Sequence, residues 1–87
     1  GPGTDIYSLG ALLYEMLTGK PPFVRKKLAD LLSAIASEEA PDLHSLRAGL
    51  SEELCSVTMK CLAKDPADRY ASARELAEAI GAWLRSS

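Results

Sequence analysis

Eighty-seven residues make one small domain or part of a larger one. Apolar residues account for 47% and charged residues for 25%, which excludes a disordered chain. A net charge of −2 removes the electrostatic basis for holding nucleic acid or an anionic membrane.

Asp5 to Leu17 reads DIYSLGALLYEML, with only Asp5, Ser8 and Glu15 clearly polar. A helix apolar on nearly every face is enclosed by other elements. The run is free of proline and rich in good helix formers. Thr4 can cap its start, and Gly19 stands where helices end in a left-handed residue. The sequence therefore predicts a central buried helix over 5–18. Lys20-Pro21-Pro22-Phe23 then imposes an extended corner, with Phe23 folding back onto the core. Arg25, Lys26 and Lys27 form a solvated basic cluster. Leu28, Leu31, Leu32 and Ile35 follow at helical spacing, so 25–36 reads as an amphipathic helix.

Residues 37–50 show no periodicity and read as a long loop. Ser51 caps a helix over 52–64, with Glu52 and Glu53 at its positive end and Lys60 and Lys64 at its negative end. Its buried face is Leu54, Val57, Cys61 and Leu62. Asp65-Pro66 stops it, and 65–71 is an ordered connection around Arg69. Ser72 and Glu75 form a capping box for a last helix over 73–85. Ala73, Leu76, Ala77, Ile80, Trp83 and Leu84 mark its apolar stripe, and Trp83 is expected in the core. The fold class is all-α, with four helices, the later three packed around the first.

Cys55 and Cys61 are six positions apart, roughly 9 Å of rise on one helix, too far for a disulfide. His44 is the only histidine, so no zinc constellation exists. Reduced thiols and a start without a basic n-region fit a cytoplasmic setting, a membrane anchor of a longer parent lying outside this segment. No apolar run is long enough to span a bilayer of about 30 Å. The opening Gly1-Pro2-Gly3 without methionine suggests a chain cut from a longer one.

TDIYSLGALLYEMLTGKPPF, from Thr4 to Phe23, resembles the long central helix of the larger lobe of a eukaryotic-like Ser/Thr protein kinase, in wording closest to the bacterial branch. Tyrosine kinases usually place Trp and Phe where this chain has Tyr7 and Leu9. CLAKDPADRYAS, from Cys61 to Ser72, resembles the last conserved kinase motif, with Leu62, Asp65, Pro66 and Arg69 at the family spacing. Both motifs stand in family order at family distance. The resemblance implies that residues 1–87 are a partial kinase domain, the end of the C-terminal lobe, with no second domain. It implies that Asp5 bonds the backbone of the catalytic loop and that Leu12 and Met16 support the apolar stack under the adenine. Arg69 would pair with the glutamate closing the activation segment. Glu15 matches an acidic position that meets a substrate arginine in some kinases, although a partly buried helix glutamate is the preferred reading. Leu12 and Met16 are also expected to pack in the core.

Phosphoryl transfer requires ligands for ATP and magnesium and an oriented nucleophile. The Gly-rich loop, the strand lysine, the His-Arg-Asp loop and the Asp-Phe-Gly aspartate are absent from these residues. No catalytic, cofactor-binding or metal-binding residue is therefore assigned. The chain reads as scaffold and docking surface of a kinase whose parent uses ATP and magnesium on protein Ser/Thr. Its partners would be the rest of the kinase domain, the parent's protein substrate, and a second copy meeting an uncovered first helix. The alternative is a stand-alone helical interaction module. A helix-turn-helix DNA binder over 52–85 fails because the connection is too long and Arg74 and Arg85 are offset by Glu75 and Glu78.

Overall fold

Helix α1, Pro2–Thr18, is the element on which the others assemble. In the computed structural model, which describes residues 1–86, it is followed by α2 (Leu28–Ser37), the single turn α3 (Leu43–Leu46), α4 (Glu52–Cys61) and α5 (Ala73–Ser86). A 3-10 turn, Pro66–Asp68, joins α4 to α5. No strand occurs among the described residues, and the all-α class expected from the sequence is the one observed.

Local signals set most helix ends. Gly19 adopts φ 82° and its N–H donates to the Glu15 carbonyl at 2.7 Å, closing α1. Ser51 Oγ accepts from the Leu54 N–H at 3.2 Å. Ser72 Oγ accepts from the Glu75 N–H at 3.2 Å, and Glu75 Oε2 accepts from the Ala71 N–H at 2.7 Å. The capping box thus closes one residue upstream of Ser72. Asp65 Oδ1 accepts from the Ala67 N–H at 2.9 Å and opens the 3-10 turn.

Other ends differ. α1 starts at Pro2, because proline suits the first helical position and its missing N–H would be unpaired there anyway. The Asp5 N–H donates to the Gly1 carbonyl at 3.1 Å, so Thr4 lies within the helix and caps nothing. α4 stops at Cys61, and Lys64 lies beyond it. Lys64 Nζ donates to the Ile35 carbonyl at 2.8 Å, serving the C-terminal turn of α2 rather than that of α4. The expected loop over 37–50 contains α3, whose Leu43 is fully buried. The Tyr14 hydroxyl donates to the Pro41 carbonyl at 2.7 Å and pins this segment onto α1.

The core lies mainly between α1 and α4. Gly10 makes their closest approach: a Cβ built there would fall on the Cβ of Cys61. On one side of that contact Ile6, Val57, Cys61 and Leu76 form a buried cluster, with Tyr70, Ala79 and Ile80 against it. On the other, Tyr14, Leu43, Cys55 and Leu62 form a second, with Tyr7 and Ala11 against it. All four expected buried positions of α4 are buried. Phe23 is buried as expected.

The third dimension of the Cα trace is only 16 Å, against 41 and 31 Å for the others. A helix with side chains is about 10–12 Å across, so there is too little depth to cover α1 on all sides. Ile6, Gly10 and Tyr14 are buried, whereas Leu12 is 55% and Met16 70% exposed. The expectation that Leu12 and Met16 pack in this chain's own core fails for that reason. Trp83 is partly buried and outside both clusters, because α5 buries only Leu76.

Candidate functional site

At 100° per residue, Asp5, Leu9, Leu12 and Met16 share one face of α1, turned away from the Ile6–Gly10–Tyr14 line that meets α4. All four are exposed. The face is an apolar stripe with one carboxylate at its N-terminal end. Asp5 makes no ion pair among the described residues and stands in the first turn, where the helix dipole favours it. Glu15 lies beside the stripe. It is exposed rather than partly buried, and it too makes no ion pair among the described residues.

Arg69 is built into the opposite side of α1. Its Nε donates to the Ala63 carbonyl at 2.7 Å, its Nη1 to Gly3 at 3.0 Å and its Nη2 to Lys64 at 3.4 Å. The guanidinium also lies 5.0 Å from the centre of the Tyr7 ring. Arg69 thus binds nearby carbonyls; its side chain makes no ion pair with Asp65 or Asp68. The site residues thus do not converge. Asp5, Leu12 and Met16 share a face, Arg69 anchors the helix from elsewhere, and Glu15 stands alone.

Periodicity did not single out a second feature. Tyr7 and Ala11 of α1, Pro22 and Phe23 of the corner, and Leu31 and Ile35 of α2 line an open cleft of about 150 Å³. The Tyr7 hydroxyl is buried without a hydrogen-bond partner. Burial pushes its pKa above the ordinary range, the Arg69 charge acting the other way, so it stays a neutral hydroxyl at physiological pH. The sequence signal was available in the Pro-Pro-Phe corner and the i, i+4 pair Tyr7–Ala11. The basic cluster is exposed, and its Arg25 pairs with Glu38 at 2.7 Å.

The sequence profile of the family described as "Protein kinase domain" matches residues 1–80. The chain belongs to the protein kinase domain family. It is similar to "Serine/threonine-protein kinase PknB" of Mycobacterium tuberculosis (strain ATCC 25177 / H37Ra), 40% identical over 84% of this chain and 12% of that protein. It is similar to "Serine/threonine-protein kinases drp72" of Corynebacterium efficiens, 36% identical over 93% of this chain and 15% of that protein. It is also similar to "Tyrosine-protein kinase MasK" of Myxococcus xanthus, 39% identical over 92% of this chain and 12% of that protein. The chain therefore spans between 12% and 15% of the length of these relatives.

The kinase reaction needs phosphate and magnesium ligands. Among the described residues no three His, Cys, Asp or Glu side chains form a group able to hold a metal, and the cleft is walled by apolar side chains. No step of phosphoryl transfer is assigned to these residues. No described helix is long and apolar enough to cross a membrane.

Proposed function

We propose that this chain is the end of the C-terminal lobe of a Ser/Thr protein kinase domain and acts as its scaffold and docking surface. The parent would transfer the γ-phosphate of ATP, with magnesium, to protein Ser or Thr in the cytoplasm. One observation carries the reading. The first helix leaves Leu9, Leu12 and Met16 in solvent along a single stripe. A contiguous apolar face of this kind marks an interaction site. The family resemblance assigns that face to the catalytic part of the domain, with Asp5 toward the catalytic-loop backbone and Leu12 and Met16 under the adenine stack. Arg69 would add a bond to the glutamate that closes the activation segment, and Glu15 would face a basic substrate side chain.

Methionine oxidation tests this. Met16 should oxidise readily in the isolated chain and be protected in the full-length gene product, which should phosphorylate protein substrates. Equal oxidation in both would remove the proposed seat. The isolated chain should show no saturable binding of ATP–magnesium by titration calorimetry. A second reading, a stand-alone interaction module, is favoured by the two buried clusters the chain closes unaided. A full-length product without His-Arg-Asp and Asp-Phe-Gly segments would select it.

A further inference from the structure

Neither buried cluster contains a residue of α2, although each of the other α-helices contributes to one. Ala34 is the buried residue of α2, whereas Leu28 is 70% and Leu32 57% exposed. Leu31 and Ile35 meet α1 across the open cleft rather than in a closed core. Burial of one methyl and half of a cleft is little apolar surface with which to hold a ten-residue helix.

One side chain fastens it. Lys64 Nζ donates to the Ile35 carbonyl at 2.8 Å and lies 4.9 Å from the centre of the Phe23 ring. It thereby holds both the last turn of α2 and the corner that leads into it. Among the described residues this is the only hydrogen bond between 22–38 and the rest of the chain. The Arg25–Glu38 pair, at 2.7 Å, joins the two ends of that segment to each other, so it braces the segment without fastening it. The lysine itself stands on a fixed base, because Arg69 holds the carbonyls of Ala63 and Lys64. Irregular backbone flanks the segment at 19–21 and 39–42.

We propose that Lys64 is a latch that holds α2 and its corner onto the core, and that segment 22–38 opens as one body, along the cleft, while α1, α4 and α5 stay packed. The charge of Lys64 is what makes both contacts strong: an ionised donor bonds a carbonyl about twice as strongly as a neutral one, and the Phe23 ring attracts a cation. Loss of that charge would release α2 and leave the two clusters intact. The latch is independent of the α1 face on which the scaffold reading rests.

Native-state amide hydrogen exchange on the 87-residue chain, read by NMR across a urea series, tests it. In the unsubstituted chain the amides of Leu31, Leu32, Ile35 and Glu38 should exchange roughly 10-fold or more faster than those of Val57, Thr58 and Cys61, with one shared and shallower urea dependence. Lys64→Met keeps the stem and removes the charge. It should speed the α2 amides by roughly another 10-fold, the worth of a charge-assisted hydrogen bond, and change the α4 amides less than about twofold. Lys64→Arg keeps the charge and should stay within about threefold of the unsubstituted chain. Lys60→Met removes a comparable contact, 4.7 Å from the centre of the Tyr70 ring, and should leave the α2 amides unchanged. If the methionine variant is misfolded by circular dichroism, Lys64→Gln gives the same reading. A common rate and urea slope for α2 and α4 would overturn the proposal. So would a Lys64→Met chain in which every helix loosens equally, or one in which α2 does not change.

Discussion

Arg69 Nη1 donates to the carbonyl of Gly3 at 3.0 Å, joining positions 66 apart in the chain. The same guanidinium holds the carbonyls of Ala63 and Lys64, so one side chain ties the first turn of α1 to the exit of α4. Each bond from a charged donor is worth about 1.5–3 kcal/mol when its partners are removed from water, and this site is only partly buried. Arg69→Ala should therefore cost about 2–4 kcal/mol in urea unfolding. Arg69→Lys should recover less than half of that, because a single ammonium cannot span three carbonyls and stack on Tyr7. A lysine variant as stable as the parent would show that only the charge matters.

Gly10 and Gly81 should respond to alanine with opposite signs. Alanine gains about 0.5–1 kcal/mol over glycine inside a helix. At Gly10 the new methyl meets the Cβ of Cys61, and overpacking costs about 1–3 kcal/mol, so the net change is destabilising. At Gly81 the nearest atom is Arg85 Nη1 at 3.2 Å, the movable end of a long side chain, so the helical gain should survive. Thermal unfolding of the two variants reads the difference directly.

On α5, Leu76 rather than Trp83 carries the packing. Leu76→Ala should cost about 2–4 kcal/mol, as for a buried leucine. Trp83→Ala should fall below the roughly 3–5 kcal/mol of an enclosed aromatic, because Trp83 is only partly buried. Iodide should quench part of the native tryptophan fluorescence. Complete protection from iodide would place the indole back in the core.

Stability should fall as pH rises above about 9. Burial raises the Cys61 thiol from 9.0 to about 11, against smaller lowering effects of a backbone hydrogen bond and Lys60. The folded state holds this proton more tightly than the unfolded chain does. The contribution is therefore complete below the unfolded value and lost as pH climbs through the folded one. Tyr14 and Tyr70, both raised chiefly by burial, extend the loss above pH 10. Urea midpoints at pH 7, 9 and 10.5 should decrease in that order, and Cys61→Ala should flatten the decline. At pH 8 the Cys61 thiol should react with a disulfide reagent only as fast as the chain opens.

Short-range chemistry made much of this protein legible from its residues alone. The Gly19 terminus, the Ser51 and Ser72 caps and the Leu54–Val57–Cys61–Leu62 face all depend on neighbours within one or two turns, and all are as expected, whereas α4 ends at Cys61, short of the Asp65-Pro66 stop. The two motifs that carry the family lie in the same local stretches. Tertiary structure alone decided the rest. The Tyr14–Pro41 bond crosses 27 positions and the Lys64–Ile35 bond 29, and neither leaves a periodic trace. Leu43 is fully buried within a single helical turn, too short to show a period. Leu12 and Met16 are as apolar as the buried residues beside them, yet they face solvent. Hydrophobicity states a side chain's preference for burial; whether 87 residues supply a surface to bury it against is a matter of how many layers the fold can stack.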